Sequence, residues 1–147
     1  MTTTHAHAVT LQKIVSNLID ISLVAKQAHW NIRGRGFYSL HLFLDEVVND
    51  ARSASDELAE YMASIGVPAL GNARSVARDS TIEQLDDCEL SVPETWAWVS
   101  DVLSVTARDI REELDVVDDD DPIAGDLLIG IVKNLELKAW MARMEAA

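Results

Sequence analysis

Two histidines and three carboxylates carry the clearest chemical pattern in the chain. His29 and His41 lie on either side of a short stretch bearing Gly34 and Gly36, Asp45 follows His41 by four residues, and Asp56 and Glu60 repeat that spacing. On a helix advancing about 100° per residue, His41, Asp45, Asp56 and Glu60 fall within one arc of roughly 100°. Taken singly, a carboxylate pair four residues apart is ordinarily a solvated face, and a lone histidine is ordinarily a surface or satisfied core residue. The set of five asks for more, because the arc borders the apolar stripe of the same helix and burying such groups is costly without compensation. Mixed imidazole and carboxylate donors suit iron, zinc or manganese.

Spacing limits how such a site is built. Asp45 and Asp56 are eleven residues apart, about 16 Å along one helix at roughly 1.5 Å per residue, whereas metal–oxygen bonds are about 2 Å. One chain cannot bring both to the same ion. A shared site requires Asp56 and Glu60 from a second copy, with two such helices antiparallel across a two-fold axis, and each dimer then holds two equivalent sites. The sequence contains no Glu-x-x-His, so it lacks the pattern of a di-iron bundle that gathers its ligands within one chain.

The elements that must position these groups are helices. Leu11, Ile14, Leu18, Ile21, Ala25 and Ala28 recur at spacings of three and four, predicting a first helix over about 8–32 that Gly34 ends. Leu44, Val48, Ala51, Leu58, Met62 and Ile65 predict a second over about 38–65, antiparallel to the first, so that His29 and His41 can face each other. Ser91, Pro93 and Glu94 announce a third helix reaching about 117, and Asp121 caps a fourth that starts at Pro122. The long link of residues 66–90 must cross the bundle if the second and third helices are parallel, and Ser80, Thr81, Ile82 and Glu83 read as the cap of a short helix within it. One long crossover in a four-helix bundle is ferritin-like connectivity, so the fold class is all-α.

Length and composition agree. The 147 residues are 48% hydrophobic and carry a formal net charge of −13, the profile of one soluble domain spanning 1–147, with residues 1–7 expected to be a flexible tail. No uncharged apolar run is long enough for a bilayer, and the first ten residues lack the basic start and apolar core of a secretory signal, so a cytoplasmic protein without a membrane partner is expected. The single cysteine, Cys88, fits a reducing compartment.

The run Lys26-Gln27-Ala28-His29-Trp30-Asn31, then Arg33-Gly34, Phe37, His41, Asp45, Asp56 and Glu60, resembles the signature of the Dps family, the miniferritins named as DNA-binding proteins from starved cells. The likeness extends over nearly the whole chain, through the Pro68–Gly71 turn to Trp140 in the last helix. The resemblance implies a hollow homododecamer of tetrahedral symmetry built from two-fold dimers. It also implies a ferroxidase centre at each dimer interface, with His29, His41 and Asp45 from one subunit and Asp56 and Glu60 from its mate. Ferrous iron is oxidised there, preferentially by hydrogen peroxide rather than oxygen, and ferric mineral is stored inside, protecting against oxidative damage. Zinc is expected as a substitute metal, and the resemblance implies that Trp30 packs near the centre. Readings of other classes are a DNA-compacting stress protein and a zinc-binding structural shell without oxidase activity.

Three further features remain. In the acidic run Asp118–Asp121, Asp119 and Asp120 read as solvated, whereas Asp121 and above all Asp126, within Gly125-Asp126-Leu127-Leu128, lie where family members line a cation pore at a three-fold axis. His5 and His7 form a His-x-His pair that could take an accessory metal ion. DNA binding is not expected, because the first twelve residues contain neither Lys nor Arg, while Lys138 and Arg143 fall inside the last helix.

Overall fold

The computed structural model describes residues 5–147. Its elements in chain order are α1 (Ala8–Asn31), β1 (Ile32–Arg33), α2 (Phe37–Ser64), α3 (Ala73–Asp79), β2 (Leu90–Ser91), α4 (Val92–Asp120) and α5 (Pro122–Ala146). The four long helices close on one core in which Leu11, Leu18, Leu44, Leu58, Leu103 and Leu128 are wholly buried. Each lies on the three-and-four stripe of its own helix, so burial follows the sequence periodicity.

Helix directions follow from contacts at the two ends. The strands β1 and β2 pair in parallel, Ile32 with Leu90 and Arg33 with Ser91, which brings the start of α4 beside the α1–α2 turn. At the other end, the Tyr61 hydroxyl from the last turn of α2 donates to Asp121 between α4 and α5 (2.5 Å). Helices α2 and α4 therefore run parallel, and the link between them crosses the length of the bundle. Gly36 makes the turn before α2 feasible: its φ of +84° is disfavoured for any residue with a Cβ, and an added Cβ would lie 3.4 Å from Val92.

The helix starts match the sequence signals. Ser91 accepts the Glu94 N–H (3.4 Å) and donates to its carboxylate (2.7 Å), the reciprocal arrangement of a capping box. Asp121 accepts from the N–H groups of Ile123 (3.1 Å) and Ala124 (3.2 Å). The short helix departs from expectation. It lies at Ala73–Asp79, capped by Asn72, which accepts the Ser75 N–H (3.0 Å), while Ser80–Glu83 is not helical. The hydroxyls read as caps bind α1 instead: Ser80 donates to Asp20 (2.5 Å), and Thr81 accepts from the Asn17 side-chain amide (3.1 Å) while its N–H donates to Asn17 Oδ1 (2.9 Å). The two-residue parallel pairing is likewise absent from the periodicity, since it depends on contact between segments 58 residues apart.

Helix α1 is, by length and composition, apolar enough to cross a membrane, but it carries Lys13, Asp20 and Lys26 and its apolar face is buried in the bundle core. The expected tail needs correction. Residues 5–7 do not form a free tail: His7 is buried, with Nδ1 bonded to Asp120, and His5 Nε2 contacts the Ile65 carbonyl (3.1 Å). A carboxylate and a carbonyl, each in hydrogen-bond contact with one of the two rings, hold the segment against the bundle. Residues 1–4 of the expected tail lie outside the described residues.

Candidate metal centre

The last turn of α1 and the first turns of α2 bring His29, His41 and Asp45 together. The imidazoles stack with ring centroids 3.6 Å apart and an interplanar angle of 15°. Each Nδ1 lies against the other residue's backbone carbonyl, at 2.7 Å from His29 to the His41 oxygen and 2.9 Å in return. A carbonyl can only accept, so each Nδ1 carries a proton, and in the neutral rings each Nε2 keeps a lone pair. Such a bond on one ring nitrogen fixes the tautomer of a metal-ligating histidine and leaves the other nitrogen as the donor. The His29 carbonyl belongs to the final turn of α1, whose carbonyls lack helical partners, so the His41 contact also satisfies a helix end.

Asp45 stands 3.6 Å from His29 Nδ1 and is hydrogen-bonded by the Lys26 ammonium (2.5 Å). That bond holds the Asp45 carboxyl below its ordinary value; burial opposes the effect and the two imidazoles add to it. Phe37 stacks on His41 at 4.8 Å. Trp30, expected beside the centre, is 69% exposed in the single chain, so Phe37 is the aromatic neighbour seen here. Lys26 and Phe37 were visible only as parts of the signature, although Lys26 lies one helical turn before His29.

Asp56 and Glu60 are exposed farther along α2 and do not join this group. Among the described residues, no three His, Cys, Asp or Glu side chains are gathered to hold a metal ion within one chain. Asp56 instead borders a shallow groove with Val15, Ile19, Ala59 and Leu70.

Comparison with known proteins places this architecture. A family model described as a ferritin-like domain matches residues 9–145. A DNA protection during starvation protein of Mycolicibacterium smegmatis is 30% identical over 133 residues, covering 90% of this chain and 73% of that protein. The chain belongs to the Dps family of ferritin-like proteins. Among solved structures, the tetragonal form of Mycobacterium smegmatis Dps superposes with a TM-score of 0.88 at 30% identity, covering 94% of this chain and 84% of that one. Dps92 from Deinococcus radiodurans superposes at 0.90 with 25% identity, covering 93% and 84%.

In this Dps chain the two pore candidates differ. Asp126 is exposed and lines a cavity of about 360 Å³ between α2 and α5 with Asp50, Glu57 and Asn134. Asp121 is committed within its own chain: it caps α5, accepts from Tyr61, and its side chain is only 15% exposed. Burial pushes the Asp121 carboxyl up, whereas Tyr61, the Ala124 and Ile123 N–H groups and His7 pull it down, with a net lowering. Burial and the Asp121 carboxylate push the Tyr61 hydroxyl up to about 12.

Proposed function

We propose that this Dps protein is a ferroxidase and iron store. Ferrous iron binds where His29, His41 and Asp45 of one subunit meet Asp56 and Glu60 of a second copy. The observation carrying this reading is the reciprocal imidazole pairing, which engages both Nδ1 atoms and leaves the two Nε2 atoms as donors in the group that also holds Asp45. The missing carboxylates lie about 16 Å along the same helix, and an antiparallel second helix would supply them.

The chemistry follows from the donors. Hard anionic carboxylates stabilise ferric over ferrous ions, so Asp45, Asp56 and Glu60 favour loss of an electron. Two ferrous ions and one hydrogen peroxide, with two protons, give two ferric ions and two waters; the O–O bond accepts both electrons. Paired oxidation avoids the hydroxyl radical formed when one ferrous ion reduces peroxide alone. Twelve such subunits in a tetrahedral shell would enclose the ferric product, and Asp126 is the better-placed carboxylate for a cation entry path because Asp121 is already occupied in its own chain.

Complementation tests the divided centre. One chain carries His41→Ala with Asp45→Ala, another carries Asp56→Ala with Glu60→Ala, and peroxide-dependent ferric absorbance is followed after anaerobic loading with ferrous iron. Each variant alone should be nearly inactive, and a mixed dimer should regain one of its two centres. Mixed dimers that form but stay inactive would rule out the shared site.

A further inference from the structure

The other end of α1, about 33 Å from His29 at roughly 1.5 Å per residue, holds a second group of donors that the ferroxidase reading does not use. His7 occupies the N-cap of α1, yet its side chain makes no cap. It turns back to the α4–α5 corner, where Nδ1 is bonded to Asp120 and the side chain is 1% exposed. Its Nε2 is buried and has no hydrogen-bond partner among the described residues, although Asp121 Oδ2 stands 3.3 Å away. The His5 ring packs edge-on to His7, with centroids 5.6 Å apart.

A buried nitrogen without a hydrogen-bond partner, facing a carboxylate oxygen, is a place where a cation can be held between them. In the neutral ring with its proton on Nδ1, against Asp120, Nε2 presents a lone pair toward Asp121. Asp121 Oδ1 is already used by two backbone N–H groups, and Oδ2 accepts from Tyr61 while keeping acceptor capacity. Ligands about 2.0–2.2 Å from a tetrahedral ion stand roughly 3.3–3.5 Å apart, which matches the spacing from His7 Nε2 to Asp121 Oδ2. Asp120 on the far nitrogen completes the carboxylate–histidine–metal arrangement that orients a ligating ring.

We propose that His7 and Asp121 hold a divalent cation of the zinc class, with Asp120 as the positioning residue for His7. No third protein donor is already in place among the described residues; His5, by giving up the Ile65 carbonyl, and solvent complete the coordination. The ion fastens the start of α1 to the α4–α5 corner and is independent of the iron centre.

Cobalt(II) serves as the probe, because tetrahedral cobalt has a distinctive visible absorption. Assembled full-length protein carrying His41→Ala and Asp45→Ala should bind one cobalt per chain with that spectrum, whatever the outcome of the complementation test. Adding His7→Gln should abolish the spectrum, and adding Asp120→Asn should weaken binding about 10-fold or more. Equal cobalt binding and an unchanged spectrum in a folded His7→Gln protein would overturn the site. Should that variant not fold, crystals of the natural chain soaked in cobalt decide the matter: an anomalous peak between His7 and Asp121 supports the proposal, and cobalt found only elsewhere, or nowhere, rejects it.

Discussion

The contact between Lys26 and Asp45 sets a competition at the proposed iron site. The ammonium occupies an oxygen that a ferrous ion would use, and its charge repels the incoming cation. Both side chains are more than a third exposed, so solvent screening keeps the effect to about 1 kcal/mol or less. Lys26→Met should therefore tighten ferrous binding several-fold in an anaerobic calorimetric titration; weaker binding would mean that Lys26 assists metal entry. A second residue-scale expectation concerns Tyr61. Its folded pKa of about 12 lies above the ordinary 10.0, so the folded state favours the protonated phenol. The associated stability is complete below about pH 10 and is lost as pH rises toward 12. Tyr61→Phe should abolish that alkaline loss in urea denaturation series, while costing about 1 kcal/mol near neutrality because Asp121 loses a donor. An identical alkaline slope in both proteins would remove Tyr61 from the account.

Two glycines of α5 separate what helix propensity prefers from what packing between elements allows. At Gly130 an added Cβ meets nothing within 4 Å, whereas at Gly125 it would lie 2.9 Å from the Asp118 Cα and 2.2 Å from its carboxylate oxygen. Gly130→Ala should stabilise by about 0.5–1 kcal/mol through helix propensity alone. Gly125→Ala should destabilise by about 1–3 kcal/mol, because α4 and α5 must part at their corner. Thermal unfolding of the two variants provides the measurement, and shifts of the same sign would contradict this description of the corner. The corner matters beyond stability, since Asp120 and Asp121 reach His7 from it.

For the whole molecule, charge governs the choice of partners. At −13 per chain, a twelve-subunit shell would carry about −156 formally. Phosphate neutralisation by Lys and Arg supplies most non-specific DNA affinity. Lys138 is instead engaged with Glu46 (2.5 Å) and lies 3.8 Å from Asp50, and it belongs to α5 rather than to a projecting arm. A mobility-shift titration at about 0.15 M salt with a chelator present should show no complex at micromolar shell concentration. A retained, salt-sensitive shift would mean that assembly gathers basic side chains that are dispersed on the single subunit.

Local pattern was enough for the four long helices, because the three-and-four recurrence of apolar residues and the caps at Ser91 and Asp121 are properties of neighbours in sequence. The facing of His29 and His41 was equally legible, since a short glycine turn leaves two amphipathic helices little choice but to pair antiparallel. Helical rise alone also separated Asp45 from Asp56. What depended on distant partners was not legible. Ser80 and Thr81 carry the chemistry of a cap, yet Asp20 and Asn17 of α1 take their hydroxyls, and the short helix forms earlier behind Asn72. The tautomer that frees both Nε2 atoms is decided by carbonyls that meet only when α1 and α2 pack. His5 and His7 read as part of a loose tail, but the acidic corner more than a hundred residues away draws His7 into the interior. Period and capping act within a few residues, whereas hydrogen-bond partners and burial are assigned only when the chain has closed on itself.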